Sequence, residues 1–117
     1  MNEVMLMGRL VRDPEIREGK DFVVATYTLA VDRPYKNKDG ERDADFIRCQ
    51  AFGGAADFAE TYLTRGFPII VKGSLRTGSY ENKDGETVYT TDVNVTQHYF
   101  VLSQPEKDER KTKRVRK

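Results

Sequence analysis

The sequence predicts an all-β fold, a small barrel of five strands with one helix between the third and the fourth. Three observations carry this reading. Five stretches alternate side chains with the two-residue period of a strand. One stretch, residues 55–63, has helical spacing, and it falls between the third and fourth strand runs. Two Asp-Gly turns, Asp39-Gly40 and Asp84-Gly85, each join a pair of strand runs.

Strand one covers residues 2–11, NEVMLMGRLV. Val4, Leu6, Gly8 and Leu10 share one face; Met5, Met7, Arg9 and Val11 share the other. Both faces are largely apolar, so both are expected to be covered. Gly8 inside the run marks a bend, a bulge or a close backbone approach. Asp13-Pro14 breaks the run, and residues 12–21 are expected to form a charged loop. Strand two covers residues 22–32, with Val23, Ala25, Tyr27, Leu29 and Val31 on the apolar face and Thr26 and Thr28 opposite. Residues 33–44 form a hairpin loop around Asp39-Gly40.

Strand three, residues 45–53 (DFIRCQAFG), is the most informative stretch. One face carries Ile47, Cys49 and Ala51 and suits a core. The other carries Phe46, Arg48, Gln50 and Phe52. Two aromatics interleaved with a cation and an amide suit neither a dry core nor an ordinary wetted face. They suit a platform on which nucleic-acid bases stack. The plainer alternative is a second apolar layer or a subunit contact, since strands favour aromatics in any case.

Gly53-Gly54 ends that strand. Ala55, Phe58, Ala59, Tyr62 and Leu63 then form one stripe of a three-turn amphipathic helix. Arg65 is expected in its last turn, Gly66 at a left-handed stop, and Pro68 just beyond. Strand four, residues 69–77, sets Ile69, Val71, Gly73 and Leu75 against Ile70, Lys72, Ser74 and Arg76. Residues 78–86 form the second hairpin loop. Strand five, residues 87–102, places Tyr89, Val93 and Val95 on one face and Thr90, Asp92, Asn94 and Thr96 on the other. The two hairpin tips echo one another: YKNKDGE at residues 35–41 and YENKDGE at residues 80–86. Good turn chemistry accounts for the NKDGE part. Tyr35 and Tyr80 are left over, each at the exit of a hairpin, where a pair of projecting arms could clamp a ligand.

The chain of 117 residues is expected to be one domain. Its net charge is only +1, but the distribution is uneven. Residues 1–102 hold 13 Lys and Arg against 16 Asp and Glu; residues 103–117 hold 7 against 3. A body that binds a polyanion must therefore place its cations locally. Cys49 is the single cysteine, so no intrachain disulfide can form, in keeping with a reducing compartment. No leader or membrane-spanning run is evident, and an intracellular protein with no membrane partner is expected. Residues 103–117 lack aromatics and end in KTKRVRK, and a short disordered basic tail is expected there.

Five strands with a helix between the third and fourth is the order of an OB-fold, a five-stranded Greek-key barrel. In that fold the face of strands two and three, with the loops after strands one and four, forms the usual oligonucleotide site. Strand three and Tyr80 fall there. The chain resembles the homotetrameric bacterial single-stranded DNA-binding proteins over roughly residues 2–102. NEVMLMGRLVRDPEIR, ATYTLAVDR, DFIRCQAFGGAADFAETYL, GSLRTGSY and YTTDVNV carry the resemblance.

The resemblance implies base stacking on Tyr35, Phe46, Phe52 and Tyr80, where the family often has tryptophan and this chain has none. Arg48, Lys72 and Arg76, with Lys36, Lys38 and Lys83 on the arms, would meet phosphates. Glu3 stands where the family is often basic. The resemblance further implies a homotetramer in the bacterial cytoplasm, serving replication, recombination and repair without cofactor, metal or catalysis. The family usually ends in a long linker and an acidic tip that recruits replication and repair enzymes. The basic end seen here does not support that recruitment, and suits a short paralogue or a mobile-element copy.

Two rival classes stand beside this reading. A nuclease would need clustered carboxylates around a metal. Asp43, Asp45 and Asp92 are the nearest candidates, and they read as solvated edge charges. His98 and Cys49, each the only one of its kind, make no convincing zinc site or nucleophile pair. The alternative binding readings are an OB-fold RNA-binding module or a primosome-type protein-interaction module. Nothing in the sequence reads the 2′-hydroxyl that separates RNA from DNA.

Overall fold

In a computed structural model of the chain, residues 1–102 are described; the tail expected at residues 103–117 lies outside the described residues. Six strands and one helix follow in the order β1 (Val4–Leu10), β2 (Glu15–Glu18), β3 (Val23–Lys36), β4 (Arg42–Phe52), α1 (Gly54–Tyr62), β5 (Pro68–Glu81) and β6 (Thr87–Phe100). Five of the strands close a ring. β1 pairs with β5, β5 with β6, β6 with β4, β4 with β3, and β3 returns to β1. The β4–β6 pairing is parallel and the others are antiparallel. This is the expected five-stranded OB-type barrel with its helix between the third and fourth barrel strands.

The sixth strand corrects one expectation. Residues 15–18 are not loop: they pair with Val23–Thr26 of β3 beside the ring. The stretch EIRE holds one apolar residue, Ile16, which packs partly against the core. Backbone pairing rather than burial forms this strand, so hydrophobic pattern could not reveal it.

Alternation otherwise places the core as read. Ala25, Tyr27 and Leu29 of β3, Cys49 and Ala51 of β4, Ile69 and Val71 of β5, and Val93 and Val95 of β6 are buried. On β1 only the Leu10 face turns inward; Met5 and Met7 are exposed on this chain. The helical stripe is rotated by one residue from the expected one. Ala56, Ala59 and Leu63 are fully buried, while Phe58 and Tyr62 sit at the rim, packed on Phe100. Gly66 does not stop the helix, which ends at Tyr62 with an extended Leu63. It takes its positive φ of 82° inside a tight turn, in which the Phe67 amide donates to the Thr64 carbonyl.

Lys72 pairs with Gln97 but Gly73 with Val95, so Thr96 is an extra residue on β6. The bulge switches which side chains face inward, from Val93 and Val95 before it to His98 and Phe100 after it. Gly73 permits it: a Cβ there would lie 1.9 Å from the Asn94 carbonyl oxygen. Gly73→Ala is expected to lower stability by roughly 2–4 kcal/mol in urea unfolding, since main chain rather than a side chain must move.

His98, turned inward by the bulge, stacks on Phe58 at 4.7 Å and shares a 2.6 Å hydrogen bond with the hydroxyl of buried Tyr27. Burial lowers its pKa from 6.5 to about 4. The unfolded ring takes up a proton near pH 6.5, while the folded ring resists until about pH 4. The stabilisation is therefore complete above pH 6.5 and is lost as pH falls through that window, by on the order of 2–3 kcal/mol. Thermal melts of wild type and His98→Gln from pH 4 to 8 check this: the wild type should lose more stability than the variant below pH 6.5.

Candidate nucleic-acid interface

Strand registers build one continuous outer surface. On β3, Val24, Thr26, Thr28 and Ala30 point outward. Opposite them on β4 stand Phe52, Gln50, Arg48 and Phe46, in that order. Each large group of β4 thus faces a small or β-branched residue of β3, which leaves the rings and the guanidinium proud of the surface. Phe46 and Phe52 are 69% and 50% exposed, so no second apolar layer among the described residues covers them, which leaves a ligand or a subunit contact to do so. Six residues apart on one strand, they stand about 20 Å from each other.

The surface continues across the parallel pairing. Gln50 is in register with Asn94 of β6, and Asn94 with Ser74 of β5. On the same side of β5 lie Lys72, Ser74, Arg76, Gly78 and Tyr80. Phe46, Arg48 and Phe52 therefore share one curved face with Arg76 and Tyr80.

The arms are longer than expected. β3 extends through Tyr35 and β5 through Tyr80, so both tyrosines stand on strands rather than in loops; Tyr80 is in register with Val88, while Tyr35 falls in the register shift of β3 between Asp32 and Lys36. The two tips are built alike. Asn37 Oδ1 accepts from the amides of Asp39 and Glu41 at 2.9 and 3.0 Å. Asn82 Oδ1 accepts from those of Asp84 and Glu86 at 2.9 and 3.0 Å. Gly40 and Gly85 each take a φ of 77°. This is a turn braced by an asparagine and closed by a left-handed glycine. The NKDGE echo is explained in full by it. Lys38 and Lys83 occupy the same exposed position in the two tips.

Tyr35 does not share the Phe46 face. It falls within the register shift between Asp32 and Lys36, where alternation fixes no side, but its proximity to Arg33 sets it toward Asp45, the side of β4 away from Phe46. Arg33 stands there too, gripping Asp45 through Nε at 3.1 Å and Nη2 at 2.8 Å. The hydrogen bonds from Arg33 hold the Asp45 carboxyl below the usual carboxylate range. Tyr35 and Tyr80 are 64% and 57% exposed, on arms that leave the barrel at different places. The four aromatics are thus spread over a path around the body rather than gathered in one pocket.

The six cations read from the sequence differ in their freedom. Among the described residues Arg48, Arg76, Lys36, Lys38 and Lys83 have no carboxylate at ion-pair distance; Lys72 is bound to Glu3 at 3.2 Å. Arg42 joins them from the structure alone, since only the strand register reveals its place. It stands directly across from Lys36, and like charges so placed repel. Tyr89 departs from its expected surroundings. It does lie on the side of Val93 and Val95, but β5 and β6 have left the barrel there, and it is 81% exposed.

Each carboxylate considered for a nuclease lies beside a polar or basic neighbour. Asp45 is engaged by Arg33, Asp43 accepts from the Asn37 side chain at 3.2 Å, and Asp92 lies across from Arg76. Among the described residues no three His, Cys, Asp or Glu side chains are grouped to hold a metal. Burial, with nearby Asp92 adding to it, pushes the Cys49 thiol up to about 12, far from a nucleophile's range. No helix among the described residues is long and apolar enough to cross a membrane.

Comparison with known proteins agrees with this architecture. The model of the single-strand binding protein family matches residues 1–101. A single-stranded DNA-binding protein of Clostridium perfringens is 49% identical over 105 residues, covering 88% of this chain and 67% of its own. One from Halalkalibacterium halodurans is 46% identical over 94 residues, covering 80% of this chain and 56% of its own. The single-stranded DNA-binding protein 1 of Staphylococcus aureus is 47% identical with the same coverage. The matched region thus spans between just over half and two thirds of the length of these relatives. On the family match and these identities together, the chain belongs to the single-strand binding protein family.

Proposed function

We propose that the chain binds single-stranded DNA with little regard to base sequence, as a homotetramer, in the bacterial cytoplasm, in the service of replication, recombination and repair. The role is binding and not catalysis, and residues 1–102 make up the binding domain. The observation that carries this reading is the shared outer face of β4 and β5, where exposed Phe46, Phe52 and Tyr80 stand with Arg48 and Arg76, neither of which has a carboxylate at ion-pair distance among the described residues. Exposed rings on a strand face are costly in a monomer without a ligand, and every base offers a π-face to stack on them. The arginines, with Lys36 and Arg42 on the same side, neutralise phosphates between the stacked bases. The mutual repulsion of Lys36 and Arg42 turns into attraction once a polyanion lies over both. Tyr35, on the far side of its arm, requires the strand to wrap rather than lie flat. The relatives are single-stranded DNA-binding proteins by name, which favours DNA over RNA as the ligand.

Stacking is tested at the tyrosines, whose exposure separates binding from folding. Tyr35→Ala and Tyr80→Ala should each weaken oligo-dT binding by about 1–3 kcal/mol for every base that no longer stacks, with little change in melting temperature. Tyr→Trp at either position should keep or raise affinity, because stacking needs a large π-face and not a hydroxyl. Anisotropy titrations at one fixed salt concentration, with oligo-rU as competitor, measure this. Near-wild-type binding by both alanine variants would reduce the tyrosines to decoration.

Assembly rests on the outward face of β1. Met5 and Met7 are 61% and 59% exposed, and Met7 is in register with Ile70, itself in register with Tyr99. A contiguous apolar patch on a charged body suits burial by further copies of the chain. Sedimentation should give a tetramer at micromolar concentration, and Met5→Lys with Met7→Lys should release smaller species; a wild-type monomer would refute this.

A further inference from the structure

We propose that Arg33 and Asp45 position the Tyr35 ring for stacking, as the latch of a bulge at the root of the β3–β4 arm. This role rests on the binding reading above and deepens it.

The two strands fall out of step at the root of the arm. Asp32 is in register with Ala44 and Lys36 with Arg42, so Arg33, Pro34 and Tyr35 of β3 stand against Asp43 alone. Extra residues of this kind re-aim a side chain out of the strand's alternation, and the side chain re-aimed here is Tyr35. Pro34, at the centre of the stretch, has no N–H to give to the ladder. Beyond the bulge the arm holds itself together. The Asn37 amide donates to the Glu41 carbonyl at 2.6 Å, and Asn37 Nδ2 donates to Asp43 Oδ1 at 3.2 Å. Barrel and tip are each internally paired, and Tyr35 lies in the joint between them.

Arg33 closes that joint with its side chain. Nε donates to both oxygens of Asp45, at 3.1 and 3.3 Å, and Nη2 donates to Oδ1 at 2.8 Å. Asp45 is the register partner of Val31, on the barrel side of the bulge. The fork thus ties the first bulged residue to the last regular part of the ladder. A planar guanidinium on a carboxylate fixes direction as well as distance. Tyr35 lies beside it: the hydrogen bonds and charge of Asp45 raise the Arg33 pKa, and the nearby Tyr35 phenol raises it further. At 64% exposure the ring has little packing of its own, so its direction comes from the backbone beneath it. An exposed ion pair adds little to global stability. At the joint it has another use. It orders the ring before nucleic acid arrives, which removes part of the cost of binding.

The chain has no tryptophan, so Tyr35→Trp supplies a sole indole whose fluorescence reports on that one ring. The test compares the full chain carrying Tyr35→Trp with and without Arg33→Gln and Asp45→Asn together, a change that removes the pair and leaves the net charge unaltered. Breaking the pair should lower the anisotropy of the indole in the free protein. It should also weaken binding of oligo-dT about twofold to tenfold at one fixed salt concentration, the cost of ordering one side chain on binding. The melting temperature should stay near that of the parent. In a Tyr35→Ala background the same two substitutions should cost no affinity. An affinity or a free-state anisotropy unchanged by loss of the pair overturns the positioning role. So does an equal loss of affinity in the Tyr35→Ala background, which would mean that the pair serves something other than the ring. If oligo-dT fails to quench the indole even with the pair intact, stacking at this ring falls and the positioning role with it. Quenching that is present but indifferent to the pair overturns the positioning role alone.

Discussion

The barrel depends on β1 serving two partners at once. It pairs with β5 along residues 4–9 and with β3 at Arg9 and Leu10, so Arg9 stands in both registers. A ring this small closes only if the β1 and β3 backbones come very near each other. Gly8 allows that: a Cβ there would lie 2.5 Å from the Ala30 carbonyl oxygen. Without the approach the ring would open along β1 and β3, leaving main-chain groups of both strands unpaired. Leu10 locks the seam, its amide donating to the Phe67 carbonyl and its carbonyl accepting from the Gly66 amide. The turn before β5 is thereby tied to the same point.

Everything on the outer surface inherits its position from that closure. Ala30 is in register with Arg9 on one side and with Phe46 on the other, so the place of the Phe46 ring is counted from the seam. The Arg9 guanidinium is occupied by the Gly66 carbonyl at 3.2 Å, which keeps a cation near Phe46 without leaving it wholly free. At the far side of the ring, the Thr96 bulge changes which side chains of β6 face inward. The bulge also lets a polar row, Gln50, Asn94 and Ser74, cross the sheet on the outside while Val93 and Val95 seal the inside. Core and interface are two readings of one set of registers.

The alternation of apolar residues is legible wherever a strand has the barrel beneath it, which is why Cys49, Ala51, Val71 and Val93 can be placed from sequence. Legibility ends where burial ends. Residues 77–81 carry no apolar pattern, and β5 persists through them because β6 pairs with them and the Asn82 turn returns the chain in register. Tyr89 keeps the inward phase of Val93, but nothing underlies the arm at that point. In the helix, Phe58 and Tyr62 draw the expected stripe toward themselves, whereas the centre of the face belongs to small Ala56 and Ala59, and size at the rim misleads. Of the site, Phe46, Arg48 and Phe52 can be read from one strand. The capture of Lys72 by Glu3 cannot, because it joins residues 69 positions apart in sequence.

The matched asparagine-braced tips carry a consequence for the thermodynamics of association. Each tip satisfies its own turning backbone with local hydrogen bonds, so its conformation is set before any ligand arrives. Ordering a loose loop on association commonly consumes part of the interaction energy. Here little ordering remains to be done at the tips, and Lys38 and Lys83 are presented on fixed stems. On the proposed binding role, the tips are shaped in advance, and the adaptation needed for different base sequences would fall to the nucleic acid strand.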